Sequence, residues 1–189
     1  MKERPILFSA PMVRALLAGT KTQTRRELAP DLFVSGGGAV VRMVSVGPAT
    51  TGIQEVRCPY GGSRLWVRET WAAPHTYDHL PPRLIPQDAR IHYAATEERG
   101  GLLWRPSIHM PRRFSRITLE VTGVRVERLQ DISIADAMAE GVVETNANLR
   151  GLELCMEWRY AYEDLWRQIN GPDSWDANPW VWVIEFRRT

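Results

Sequence analysis

The chain has 189 residues, of which 44% are hydrophobic and 24% charged, a balance that excludes a disordered or low-complexity polymer and suits one domain with a sizeable core. Its formal charge of +2 does not mark a nucleic-acid binder, so any affinity for phosphates has to come from local clusters such as Arg25-Arg26, Arg105, Arg112-Arg113 and Arg116. Cys58 and Cys155 lie far apart without CxxC spacing, which argues against a zinc ribbon or a disulfide scaffold. No apolar h-region follows Met1-Lys2-Glu3-Arg4-Pro5, and no window approaches the roughly 18 apolar residues of a membrane span. A soluble, cytoplasmic protein with no membrane partner is expected.

A first strand is expected over Pro5 to Ser9. A helix then opens at Ser9 or Ala10, with Pro11 in its first turn, an apolar stripe of Met12, Leu16 and Leu17, and Gly19 as its stop. The run Gly19-Thr20-Lys21-Thr22-Gln23-Thr24-Arg25-Arg26 follows, in a loop or an opening strand. It packs an amine, three hydroxyls and two guanidiniums into eight residues. A lysine three residues before a threonine can set an amine beside a hydroxyl, the minimum for activating an alcohol as a nucleophile. The same run can instead grip a phosphate.

Residues 30 to 63 are rich in Gly, Pro, Ser and Thr and read as an insertion, with one strand over 40 to 46 and a turn at Cys58-Pro59-Tyr60-Gly61-Gly62. Arg64 to Thr70 alternates as a strand. Residues 72 to 112 form a second insertion, broken by prolines, with a short strand at Ile91 to Ala94. It is too long for an ordinary connection, which points to a lid or binding role. Its segment from Trp104 to Arg112 holds His109 among cations and prolines. Ser115 to Leu129 reads as one long strand with a bulge at Gly123. Ser133 and Asp136 form an S-x-x-D helix start, and that helix ends at Gly141. A longer amphipathic helix spans 152 to 169 with Cys155, Trp158, Tyr162, Leu165, Trp166 and Ile169 at helical spacing. Trp180 to Phe186 is the last strand. Short strands with few helices predict an α+β fold around a small barrel-like sheet.

Of the eight tryptophans most are expected in the core, while Trp66 or Trp71 can stack a base. Arg68 is placed at the barrel mouth and Glu69 beside an arginine. His75 and His79 have i, i+4 spacing, but Pro74, Pro81 and Pro82 disfavour a helix there and no third ligand is near, so no metal site is expected. No motif calls for a cofactor.

Several of these segments together resemble a known family. G-x-K-T-x-T-x-R after a first helix, R-L-W-V-R-E, E-V-T-G-V, a helix ending in A-E-G and a closing W-V-I-E-F look like an ASCH domain of the PUA-like superfamily. R-P-I-L-F-S-x-P-M-V at the start and W-D-x-N-P-W-V-W-V-I-E-F at the end are similar to the longer phage- or prophage-type ASCH proteins. The resemblance covers nearly the whole chain and implies one PUA-like small mixed β-barrel over residues 1–189, with the insertions around 30–63 and 72–112. More distantly, the chain is similar to small bacterial amidohydrolases that deacetylate N4-acetylcytidine. That likeness implies a catalytic set of Lys21, Thr24 and Glu140; from their own position and chemistry, Arg25, Arg26, Trp66, Arg68, Glu69 and His109 are expected as substrate contacts, although the segment that holds His109 has no counterpart in those small enzymes. It implies no cofactor, and a modified nucleoside or RNA as partner. Two other functions stay open beside the amidohydrolase: an RNA-binding module, and a metal-independent ribonuclease using the same basic cleft.

Overall fold

The computed structural model describes residues 2–47, 50–98, 100–142 and 154–189. Its frame is a mixed five-stranded sheet in the order β1 (Lys2–Leu7), β6 (Ser63–Arg68), β9 (Thr118–Arg128), β10 (Trp180–Arg188), β2 (Gln23–Glu27). β1 runs parallel to β6, and the other neighbours are antiparallel. The chain reaches β2 from β1 through helix α1 (Ala10–Ala18), so these two consecutive strands become the two edges of the sheet.

Strand β10 is apolar on both faces and therefore reads as an unbroken hydrophobic run. Trp182, Ile184 and Phe186 join Phe8, Val13, Leu16, Leu65 and Leu119 in one core. Val181 and Val183 turn to the other face and pack with Tyr162, Trp166 and Trp175. That second face is covered by α2 (Ile134–Ala139) and α3 (Leu154–Asn170). Within α1 Leu16 is buried, and Met12 and Leu17 are half-buried against the first core, as the stripe predicts. The side chain of Cys155, expected on the α3 stripe, lies outside the described residues.

Gly123 sits where the register shifts, opposite Glu185. A Cβ there would lie 2.7 Å from Glu185 Oε2, so the bulge and the missing side chain are one feature. Ser133 caps α2: its hydroxyl oxygen accepts from the Asp136 N–H at 3.1 Å, and the hydroxyl donates to Asp136 Oδ2 at 2.8 Å.

The sheet is open. Among the described residues no ladder pairs β1 with β2, so backbone hydrogen bonds do not close the expected barrel. The strands are short, and a side chain spans the gap: Arg26 donates to the Leu7 carbonyl at 2.9 Å and lies over the Phe8 ring. The 30–63 insertion is more regular than its composition suggests. It holds a three-stranded meander, β3 (Leu32–Val34), β4 (Val40–Gly47) and β5 (Thr50–Glu55). β5 escapes pattern reading because it is polar and exposed on nearly every residue.

The 72–112 insertion has little regular structure beyond a ladder of β7 (Trp71–Ala72) with β8 (His92–Tyr93) and several 3-10 turns. It nevertheless owns a core of Trp71, Ala73, Ile85, Met110 and Phe114. Arginines gather the carbonyls that no strand satisfies. Arg105 donates to Leu80 at 2.9 Å, Tyr77 at 2.9 Å and Asp78 at 3.2 Å, and Arg113 donates to Pro82, Arg83 and Ile85. No helix among the described residues is long and apolar enough to cross a membrane.

Candidate active site

The run that follows α1 is fixed by backbone contacts before any side chain acts. Gly19 adopts φ +78°, which an L side chain resists, and turns the chain off the helix end. The N–H groups of Thr20 and Lys21 both donate to the Ala15 carbonyl, at 3.0 and 3.2 Å. Thr22 N–H donates to the Ala139 carbonyl at 2.8 Å, and Lys21 forms a backbone bridge with Glu140. The A-E-G turn after α2 is thus docked on the lysine's own backbone. Gly141 makes this possible: at φ +76°, a Cβ would meet Ala15 Cβ at 2.7 Å and Lys21 Cβ at 2.8 Å.

The side chains complete the joint. Lys21 Nζ donates to the Glu140 carbonyl at 2.8 Å and to Glu140 Oε2 at 2.9 Å. Arg25 donates to the other carboxylate oxygen, Oε1, at 3.1 Å. All three residues are about 2% exposed. Charges buried so deeply persist only when paired and hydrogen-bonded, and here one carboxylate faces two cations. Arg25 also donates twice to Glu127 Oε1, from Nε at 3.1 Å and from NH2, and lies 3.5 Å from Asp136 Oδ2. Arg125 extends the chain of charges, binding Glu127 at 3.1 Å, Asp136 at 2.9 Å, and Glu185.

Burial holds the Lys21 pKa below that of an ordinary lysine; Glu140 opposes this, and the Arg26 and Arg25 charges add to it. Burial also acts to raise the Asp136 pKa, but the Ser133 hydroxyl and the Arg125 and Arg25 charges outweigh it and leave the group below the usual carboxylate range. Tyr162, buried against this cluster, has its phenol pushed well above the ordinary value, first by burial and then by Glu140.

A pocket of about 50 Å³ opens beside the cluster at the β2 edge. Thr24, Arg25, Arg26, Glu27, Glu140 and Asn170 form its polar side. Met12 from α1 and Tyr162, Leu165, Trp166 and Ile169 from α3 form its apolar side. Thr24 is 1% exposed, and its hydroxyl makes no hydrogen bond among the described residues. Arg26 has no carboxylate within ion-pair distance among the described residues. Lys21 and Arg26 share the Phe8 ring, at 5.4 and 5.5 Å from its centroid.

Four of the nine sequence-derived site residues line this pocket, Thr24, Arg25, Arg26 and Glu140, and a fifth, Lys21, stands behind them on Glu140. The other four do not line the pocket. β9 and β10 separate β6 from β2, and each of the four is engaged elsewhere or faces solvent. Trp66 is 7% exposed, with the Arg68 guanidinium 4.6 Å over its ring. Arg68 donates to the Ile108 carbonyl at 3.1 Å. Glu69 is buried and held by Arg116 at 2.9 Å, so the ion-pair reading of that residue is the one realised. His109 is exposed on a 3-10 turn. Trp71 is wholly buried and has no face for a base.

His75 Nδ1 pairs with Asp78 at 2.8 Å, and among the described residues no three His, Cys, Asp or Glu side chains gather as a metal site. The sequence reading missed Glu127, Asp136 as an ion-pair partner, and the pocket role of Tyr162 and Trp166. The α3 pair was visible as an i, i+4 stripe, but periodicity reads such a stripe only as core. Compared with protein-family models, curated proteins and solved structures, the chain matches none.

Proposed function

We propose that the chain is an ASCH-type, PUA-like domain acting as an amidohydrolase that removes the acyl group from N4-acylated cytidine-type nucleosides. The observation that carries this reading is the convergence of Lys21 and Glu140 from distant segments into one buried pair, with Thr24 on the wall of the adjoining pocket. The mixed sheet, whose edges are bridged by Arg26, supports the barrel-like family geometry.

The hydrogen bonds suggest the roles. A neutral lysine has two N–H donors and one lone pair. Glu140 accepts both donors, through its carbonyl and Oε2, which leaves the lone pair to take a proton. Both carboxylate oxygens of Glu140 already accept, one from the Lys21 amine and the other from the Arg25 guanidinium, so the glutamate orients the amine rather than shuttling protons. Thr24 Oγ attacks the acyl carbonyl carbon and its proton passes to Lys21. The tetrahedral intermediate collapses, the C–N bond breaks, and Lys21 returns the proton to the leaving exocyclic amine. Water then attacks the threonyl ester, giving a proton to Lys21; the released Thr24 oxygen takes it back as the carboxylic acid leaves. Arg26, a pocket cation without a carboxylate partner, stabilises the developing oxyanion.

The test is release of acetate from N4-acetylcytidine by the purified protein. Turnover by the wild type, lost in Thr24→Ala, is the expected result. Absence of turnover together with steeply salt-dependent RNA binding would move the assignment to an RNA-binding module. Metal-independent cleavage of single-stranded RNA, lost in Lys21→Ala, would move it to a ribonuclease.

A further inference from the structure

Trp166, a residue of the wall that α3 lends to the pocket, carries a buried polar atom with nothing to bind among the described residues. Trp166 is 5% exposed, and its indole Nε1 is buried with no hydrogen-bond partner among the described residues. A buried donor left unmatched costs on the order of 1–3 kcal/mol, so such a group is rarely retained without an acceptor. Trp71 and Trp104 also carry unpartnered indole N–H groups, but neither lines this pocket. Trp166 does, beside Thr24 and Arg26.

The dimensions restrict what can enter. About 50 Å³ matches a two-carbon acyl group and is far below the roughly 300 Å³ at which drug-sized ligand pockets begin. The walls divide to suit such a group. Thr24, Arg25, Arg26, Glu27, Glu140 and Asn170 are polar, and Met12, Leu165 and Ile169 are apolar. A carbonyl oxygen needs donors, and a methyl needs an apolar wall. Among the described residues the lining side-chain N–H donors with no carboxylate partner are Arg26, the Trp166 indole and the Asn170 amide, and that amide is already spent on the Trp166 carbonyl at 3.2 Å.

We infer that the pocket takes the acyl end of the substrate, and that Trp166 is a specificity residue whose Nε1–H donates to the acyl carbonyl oxygen while the nucleoside stays outside. This rests on the amidohydrolase reading and adds to it both a residue and a limit on acyl length. α3 then does more than cover the second core. It brings Tyr162 and Trp166 to the reaction from a segment more than one hundred residues beyond Lys21.

The decisive variant is Trp166→Phe, which keeps an aromatic wall and removes the donor. Its kcat/KM for N4-acetylcytidine is expected to fall roughly fivefold to tenfold, the scale of one hydrogen bond, while Trp104→Phe leaves the constants unchanged. The wild type is expected to prefer acetyl over hexanoyl substrates. A second readout does not depend on turnover. In ¹⁵N-labelled protein the indole resonance that Trp166→Phe deletes is expected to move on titration with acetamide, with the Trp104 resonance as the fixed reference. If the wild type turns over N4-acetylcytidine and Trp166→Phe does so equally well, the role of Trp166 is overturned and the reaction stands. If there is no turnover, the reaction fails, and the titration alone decides whether the pocket takes an amide carbonyl. A Trp166 resonance that stays fixed in saturating acetamide overturns the inference in either case.

Discussion

At the scale of single residues the cluster depends on one carboxylate. Glu140 holds Lys21 through one oxygen and Arg25 through the other, with all three buried. Glu140→Gln keeps the shape but leaves the buried Arg25 guanidinium and Lys21 amine facing an uncharged amide, so a loss of about 3–5 kcal/mol of stability is expected, read by urea unfolding. Burial lowers the Lys21 pKa, and the proposed base is the neutral amine. Activity is therefore expected to rise with pH and to level off below the free-lysine value of about 10.4. A profile that falls as pH rises through the neutral range would contradict the role. The sign for stability agrees: between the lowered folded value and the free value the unfolded chain binds a proton that the folded chain has released, so stability rises with pH there. Gly141→Ala adds a Cβ into contacts of 2.7 and 2.8 Å at φ +76°. It is expected to cost about 1–3 kcal/mol and to reduce activity, because the same backbone positions Glu140.

At the scale of elements, α2 is the part whose position sets the chemistry, because the turn that ends it carries Glu140. Its start is a local matter. Ser133→Ala removes the cap and is expected to cost about 1 kcal/mol in thermal or urea unfolding. Asp136 joins that cap to the ion-pair chain through Arg125 and Arg25. Its pKa is depressed in the folded protein, so its stabilisation is full above the unfolded aspartate value of about 3.9 and is lost as pH falls through the folded value. Asp136→Asn should flatten the acid limb of the stability profile below pH about 4 and change little near neutrality in that pH dependence.

At the scale of the whole molecule the clustered arginines are engaged within the fold itself. Arg112 pairs with Glu3, Arg116 with Glu69, and Arg105 and Arg113 bind backbone carbonyls of the 72–112 insertion. These side chains hold an irregular segment around its own small core. Arg105→Ala strips the Leu80 and Asp78 carbonyls of their side-chain donor and leaves the Tyr77 carbonyl with the Leu80 N–H alone, and is expected to destabilise that segment by about 2–4 kcal/mol. Hydrogen exchange would show faster amides at Tyr77, Asp78 and Leu80, with the β9–β10 ladder unchanged.

The sequence by itself determined whatever rests on local pattern: the α1 stop at Gly19, the cap at Ser133, the bulge at Gly123 and the two-faced apolar strand β10. Each depends on backbone conformation or on periodicity, which neighbouring residues set. It also singled out Lys21 and Thr24 through their spacing, and Glu140 through a likeness of motifs. Only the tertiary structure decided which polar groups meet. Lys21 and Glu140 are separated by 119 positions and touch because Gly141 lets two backbones approach. The same packing turned Tyr162 and Trp166 from a core stripe into a pocket wall. It left Trp66, Arg68, Glu69 and His109 outside that pocket, because strand order in a sheet is not written in the spacing along the chain.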